Sequence, residues 1–168
     1  MRAIYVAPGV LTGVTRAAAD EYPYEACGFL IGRTEGDVGW VDRAVRTTNV
    51  APSDRARRYA IDPGEWRRME VELVARGGTL LGIYHSHPDH PAAPSPFDQD
   101  HAWPGLAYLI VRVDAGRPGD LAAFELRADT RRFHEVPWGE RSASGGVPPP
   151  NADGISTLAL APGARRAP

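Results

Sequence analysis

The sequence predicts a single α+β domain, with a largely antiparallel or mixed sheet flanked by helices. Two observations carry this. Apolar runs of strand length recur along the chain between Gly, Pro and Asp punctuation, and two segments repeat their apolar residues at helical spacing. The 168 residues suffice for one hydrophobic core and are short for two.

In chain order, "AIYVA" (3–7) is a strand-length run closed by Pro8 and Gly9. Val10, Leu11, Val14, Ala17 and Ala18 then repeat as one face of an amphipathic helix that stops at Asp20, Glu21 and Pro23. "EACGFLIG" (25–32) and the alternating "DVGWVDRAVRTTNV" (37–50) read as strands, and "RRYAI" (57–61) as a shorter one. Asp62, Pro63 and Glu65 supply a capping side chain, a proline at the first helical position and a carboxylate at the third. That second helix has Trp66, Met69, Leu73 and Val74 on one face and ends at Gly77 and Gly78. "TLLGIYH" (79–85) is a buried-strand run, and "LAYLIVRV" (106–113), "LAAFELRA" (121–128) and "RFHEV" (132–136) complete the sheet.

The composition from Gly139 onward offers few apolar anchors. The domain is therefore expected over 1–138, with 139–168 a flexible Pro/Gly-rich tail. Within it, "ISTLALA" (155–161) has the make-up of an added edge strand, and the Gly-Gly of "SASGGVPPP" reads as linker.

A formal charge of -2 and a pI near 6.2 give no electrostatic reason to expect nucleic acid or an anionic membrane as partner. Cys27 is the only cysteine, which rules out an internal disulfide and a tetrathiolate metal site within one chain. The N-terminal residues lack a secretion signal, and no run of about 18 apolar residues occurs. A soluble, cytoplasmic protein is expected. All 19 basic residues are arginine, so no side-chain ammonium is available to form an isopeptide bond.

Chemistry concentrates in "YHSHPDHPAAPSPFDQD" (84–100) and the residue after it, which hold four of the five histidines. His85 and His87 are two apart at a strand end, so both imidazoles point to one face and can meet one ion. Ser95, Pro96 and Asp98 resemble a helix start that places a hydroxyl beside a carboxylate. Two histidines and one carboxylate form a three-ligand set, the composition of a catalytic zinc site that keeps its fourth position for water. Zinc brings the pKa of such a water to about 7 and polarises a carbonyl, which opens amide hydrolysis at neutral pH. Spacing alone leaves Asp89, His90 and His101 open as alternative ligands.

The form His-Ser-His, seven residues, Ser, two residues, Asp resembles the signature of the JAMM metalloproteases, the zinc-binding branch of the MPN domain. "PYEACGFLIG" resembles the upstream element of that family, with Glu25 at its glutamate position. The resemblance implies a cytidine-deaminase-like fold and one Zn2+ per chain, bound by His85, His87 and Asp98. It further implies Glu25 as general base holding the catalytic water, and Ser95 as hydrogen-bond donor to the oxyanion. The compact chain is most similar to small stand-alone prokaryotic members, which act on ubiquitin-like or sulfur-carrier proteins ending in Gly-Gly. The expected activity is that of a zinc peptidase or isopeptidase, deubiquitinase-like, cutting after such a tail; the alternative is a non-catalytic MPN scaffold that only binds partners. A zinc deaminase is excluded by the missing His-x-Glu and Pro-Cys-x-x-Cys motifs. Ser86 is expected to support the site from the other face of the strand. Cys27 is expected to be a buried hydrophobe rather than a ligand, and Arg55, Arg57 and Arg58 are placed to receive an acidic partner or merely to be solvated.

Overall fold

Leu81–Pro88 is buried along its whole length, and the sheet is assembled around this stretch. The computed structural model describes residues 1–141. The elements are β1 (Ala3–Val6), α1 (Val10–Glu21), β2 (Cys27–Glu35), β3 (Val38–Thr47), α2 (Pro63–Arg76) and β4 (Thr79–Pro88). They continue with α3 (Pro96–His101), β5 (Ala107–Asp114), β6 (Arg117–Leu126), β7 (Phe133–Glu135) and β8 (Trp138–Glu140). One mixed sheet runs in the order β7-β6-β5-β4-β2-β3-β1-β8. The β2–β3, β2–β4, β5–β6 and β6–β7 pairs are antiparallel, while β1–β3, β1–β8 and β4–β5 are parallel.

The parallel β4–β5 pair matters most for function. Parallel neighbours cannot be joined by a tight turn, so residues 89–106 leave the end of β4, cross over through α3 and return to begin β5 beside it. This crossover carries Asp98 back toward the strand end that presents His85 and His87.

Neighbouring residues of β2 face opposite ways. Leu30 joins Tyr84, Leu109, Val111 and Leu121 under Leu11, Val14, Ala17 and Ala18 of α1. Phe29 and Ile31 pack instead with Met69 of α2, where Trp66 meets the Phe29 ring edge-on at 4.9 Å. Each fully buried aliphatic side chain in these layers contributes about 1.5–3 kcal/mol. Asp62 caps α2 by accepting from the Gly64 and Glu65 backbone N–H groups, with Pro63 in the first turn.

Four features depart from the sequence reading. Residues 57–61 form no strand, because the chain turns at Asp54 and Arg57 and only an isolated bridge between Asn49 and Ile61 survives. Val74 is 88% exposed; it lies one step beyond the stripe of Trp66, Met69 and Leu73 that reaches the sheet. β2 begins at Cys27, which leaves Glu25 on the loop just before it. Finally, β8 extends two residues past the expected domain boundary at 138, since Trp138–Glu140 pairs in parallel with β1. From residue 142 onward the flexible tail expected over 139–168, with its Gly-Gly linker at 145–146 and edge-strand segment at 155–161, lies outside the described residues. Among the described residues no helix is long and apolar enough to cross a membrane.

Gly28 sits where β3 and β4 press on β2. A Cβ there would lie 2.3 Å from the Val45 carbonyl oxygen and 2.5 Å from the Tyr84 ring. Gly28→Ala is expected to destabilise the fold by at least about 2 kcal/mol through overpacking, read as a lower urea midpoint at unchanged slope.

Candidate metal centre and active site

β4 delivers both histidines to one face. His85 is fully buried, and its Nε2 lies 3.1 Å from His87 Nε2 and 3.5 Å from Asp98 Oδ1. His87 Nε2 lies 3.5 Å from Asp98 Oδ2. His87 Nδ1 is 2.8 Å from the Pro91 carbonyl; only a protonated Nδ1 can bond a carbonyl, so Nε2 carries a bare lone pair. Burial, opposed by Asp98, pushes the His85 pKa down and keeps that ring neutral. The Tyr59 ring stacks on it at 4.6 Å and fixes its plane.

Asp98 is held by the start of α3. Ser95 N–H and Ser95 Oγ–H both donate to Asp98 Oδ2 at 2.7 Å, while Asp98 N–H donates to Ser95 Oγ at 3.1 Å. This is the capping box that the spacing of Ser95 and Asp98 predicts. Burial alone would raise the Asp98 carboxyl, but its contacts with the His85 and His87 rings and the two donors of Ser95 outweigh it and hold the pKa well below the usual carboxylate range. Asp98 is therefore an anion at neutral pH.

A tetrahedral ion with bonds of about 2.0–2.1 Å holds its ligands about 3.3 Å apart, close to the 3.1 Å between the two Nε2 atoms and the 3.5 Å from each of them to its nearer Asp98 oxygen. Two imidazole nitrogens and one carboxylate oxygen could thus hold one metal ion, and among the described residues no other such group of His, Cys, Asp and Glu occurs. His85 Nδ1, the ring nitrogen that makes no contact with His87 or Asp98, is buried without a hydrogen-bond partner.

Glu25 reaches the site from the loop before β2. Its N–H donates to the Arg55 carbonyl at 2.8 Å, and its carbonyl accepts from Asn49 Nδ2 at 3.0 Å. The next residue is clamped to β4, with Ala26 N–H donating to Ser86 Oγ at 2.8 Å and Ser86 N–H to the Ala26 carbonyl at 3.0 Å. The Glu25 carboxyl is 2% exposed, and Oε2 has no hydrogen-bond partner. Burial, helped by the charges of Asp98 and Asp54, pushes its pKa up to about 9. Glu25, His87 and Ser95 line one cavity of about 300 Å3 together with Arg57, His90, Pro91 and Ala93. A second cleft of about 180 Å3 is lined by Asp98, Tyr59, Ile61, Trp66, Phe97 and Trp103, among others.

The other candidates are engaged elsewhere. Asp89 accepts from Tyr22 OH and Ala115 N–H, His101 is exposed and bonded to the Phe97 carbonyl, and His90 is exposed on the cavity rim. Cys27 is buried with its thiol pushed up to about 11 by desolvation and bonded to Thr47 Oγ1 at 3.3 Å. It is neither thiolate nor ligand here.

Asn49 and Tyr59 escape the sequence reading. Buried Asn49 uses all four of its hydrogen bonds, donating to the Glu25 and Arg58 carbonyls and accepting from Ala51 and Ala60 N–H. An asparagine closing the strand run "VRTTN" was the one available signal; the stacking of Tyr59 left none.

This assembly of a buried carboxyl above a His-His-Asp cluster, on a mixed sheet with a crossover helix, defines a family. The model of the prokaryotic homologs of the JAB domain matches residues 8–127, and the chain belongs to that family. It is 35% identical over 124 residues to a desampylase of Haloferax volcanii, covering 73% of this chain and 84% of the relative. It is 36% identical over 114 residues to a probable TtuB-protein conjugate cleaving protease of Thermus thermophilus, covering 68% and 73%. The solution structure of a Desulfitobacterium hafniense protein superposes with a TM-score of 0.72 at 29% identity, over 83% of this chain and 93% of that one.

Two outcomes are expected. Ser95→Ala, which removes the cap and one bond to Asp98, should lower stability by about 1 kcal/mol and weaken metal binding at the His-His-Asp cluster, measured in a chelator competition with a divalent probe ion. In metal-free protein the proton held by Glu25 up to about pH 9 is released by the unfolded chain near pH 4.5, so fewer protons are bound when unfolded and stability falls as pH rises between these values. Tm measured in chelator from pH 5 to 9 should decline, and the decline should be shallower in Glu25→Gln.

Proposed function

We propose that the chain is a zinc-dependent peptidase or isopeptidase, hydrolysing the bond that follows the C-terminal Gly-Gly of a ubiquitin-like or sulfur-carrier protein. The observation that carries this is the shared cavity of Glu25, His87 and Ser95 beside the three converging ligand atoms. The names of the two relatives, a desampylase and a protease cleaving TtuB conjugates, support the same substrate class.

His85, His87 and Asp98 would hold the ion, since both Nε2 atoms and the Asp98 carboxylate face one another there. Bound zinc supplies an acidified water and a Lewis acid for the scissile carbonyl. Glu25 takes the proton of the attacking water on its carboxylate and passes it to the departing amine, so one buried group serves as base and then acid. Its raised pKa suits the second duty, and a neighbouring cation would draw it down for the first. Ser95 sits at the cavity wall as donor to the oxyanion. To do so its hydroxyl leaves Asp98 Oδ2, which keeps the Ser95 N–H. Gly-Gly suits the approach because no side chain impedes a tail threading past the site.

Glu25→Gln should lower kcat by at least about a thousandfold while one zinc per chain stays bound, measured by intact-mass detection of cleavage and by metal content. His87→Ala should lose both. Turnover retained in Glu25→Gln removes Glu25 as the base; zinc bound without cleavage of any Gly-Gly substrate by the wild type favours a binding scaffold.

A further inference from the structure

One feature of the cavity is not used by the reaction above. Arg57 lines it beside Glu25, and Arg55 and Arg58 lie on the same loop, all three exposed. Among the described residues none of the three has a carboxylate within ion-pair distance, whereas Arg33, Arg43, Arg46 and Arg112 all do. Against one acidic neighbour on the loop, Asp54, the three arginines leave a local excess of positive charge beside the site, on a chain whose formal charge is -2.

The loop is also built to keep its shape. Asn49 ties Ala51, Arg58 and Ala60 to one side chain, and Arg57 N–H donates to the Asp54 carbonyl. The Arg55 guanidinium rests on the Tyr24 ring at 4.8 Å and the Arg58 guanidinium on the Phe97 ring at 4.9 Å. Aromatic faces hold a cation in place without neutralising it. The result is a row of preorganised forks that match carboxylate geometry.

Which half of the substrate meets them follows from the proton path. Glu25 returns the proton to the departing amine and Ser95 receives the oxyanion in one cavity, so the bond that breaks lies there, and the residues attached to the amine leave on the side of Glu25, where Arg57 shares the lining. Resting on the peptidase reading, we propose that Arg57, supported by Arg55 and Arg58, selects substrates with an acidic side chain on the leaving half, within a few residues of the bond that breaks.

The test uses zinc-loaded protein and a sulfur-carrier protein ending in Gly-Gly, extended by one of three peptides that begin with three acidic, three neutral or three basic residues. Wild-type kcat/KM should favour the acidic over the basic extension by roughly fivefold, the scale of an exposed ion pair. The gap should close between 0.1 and 1 M salt as the Debye length falls from about 10 to about 3 Å. Arg57→Gln should bring the three substrates within about twofold of one another, and Arg57→Glu should invert their order, which a loss of folded protein cannot do. Equal wild-type rates on all three, or an unchanged order in Arg57→Glu, overturns the proposal. Absence of cleavage of every extension by the wild type overturns the peptidase reading and this inference with it.

Discussion

The pairing of β2 with β4 is the constraint on which the site depends. Cys27 lies opposite His85 in that register, and two hydrogen bonds between Ala26 and Ser86 extend the join beyond the end of β2. Residues 60 positions apart are thereby locked together, which sets the Glu25 carboxyl beside the histidines. Because side chains alternate along a strand, a slip of one residue would send both imidazoles to the α1 face. Gly28 allows the register to close tightly, and Ser86, on the face opposite the histidines, spends its hydroxyl on the clamp.

A second constraint is electrostatic. Two carboxyl groups share one buried region, and their environments drive them apart: Asp98 collects two donors from Ser95 beside the histidine rings and its pKa is held down, while Glu25 has an unpartnered oxygen and its pKa is pushed up. Separation of this kind assigns different duties to like groups. It also costs stability, since an unpaired buried carboxyl opposes folding wherever it must ionise. The fold carries that cost inside the cavity that Glu25 shares with His87 and Ser95.

Much of the scaffold was legible in the sequence because its signals are local. The helix caps at Asp62 and Ser95 rest on contacts three residues apart, and the buried strands announce themselves by apolar runs. Misreadings arose where the deciding contact was distant. "RRYAI" has strand composition, yet Asn49 captures the Arg58 carbonyl and the Ala60 N–H within it and leaves a loop. Trp138–Glu140 has little strand character, yet the free edge of β1 recruits it. Val74 matches a helical stripe whose true width is set by how α2 meets the sheet.

By itself the sequence determined the donor inventory: a His-x-His at a strand end, a capped helix start carrying Asp98, one cysteine and no lysine. These follow from residue types and short spacings, and so did the family. Only the tertiary structure decided which of several histidines and aspartates converge, because Asp89 and His101 are drawn off by Tyr22, Ala115 and Phe97. It alone placed Tyr59 on His85, Asn49 beneath Glu25 and Arg57 in the cavity. Those placements are set by strand register and by the β4–β5 crossover, which join segments whose separation along the chain carries no local trace.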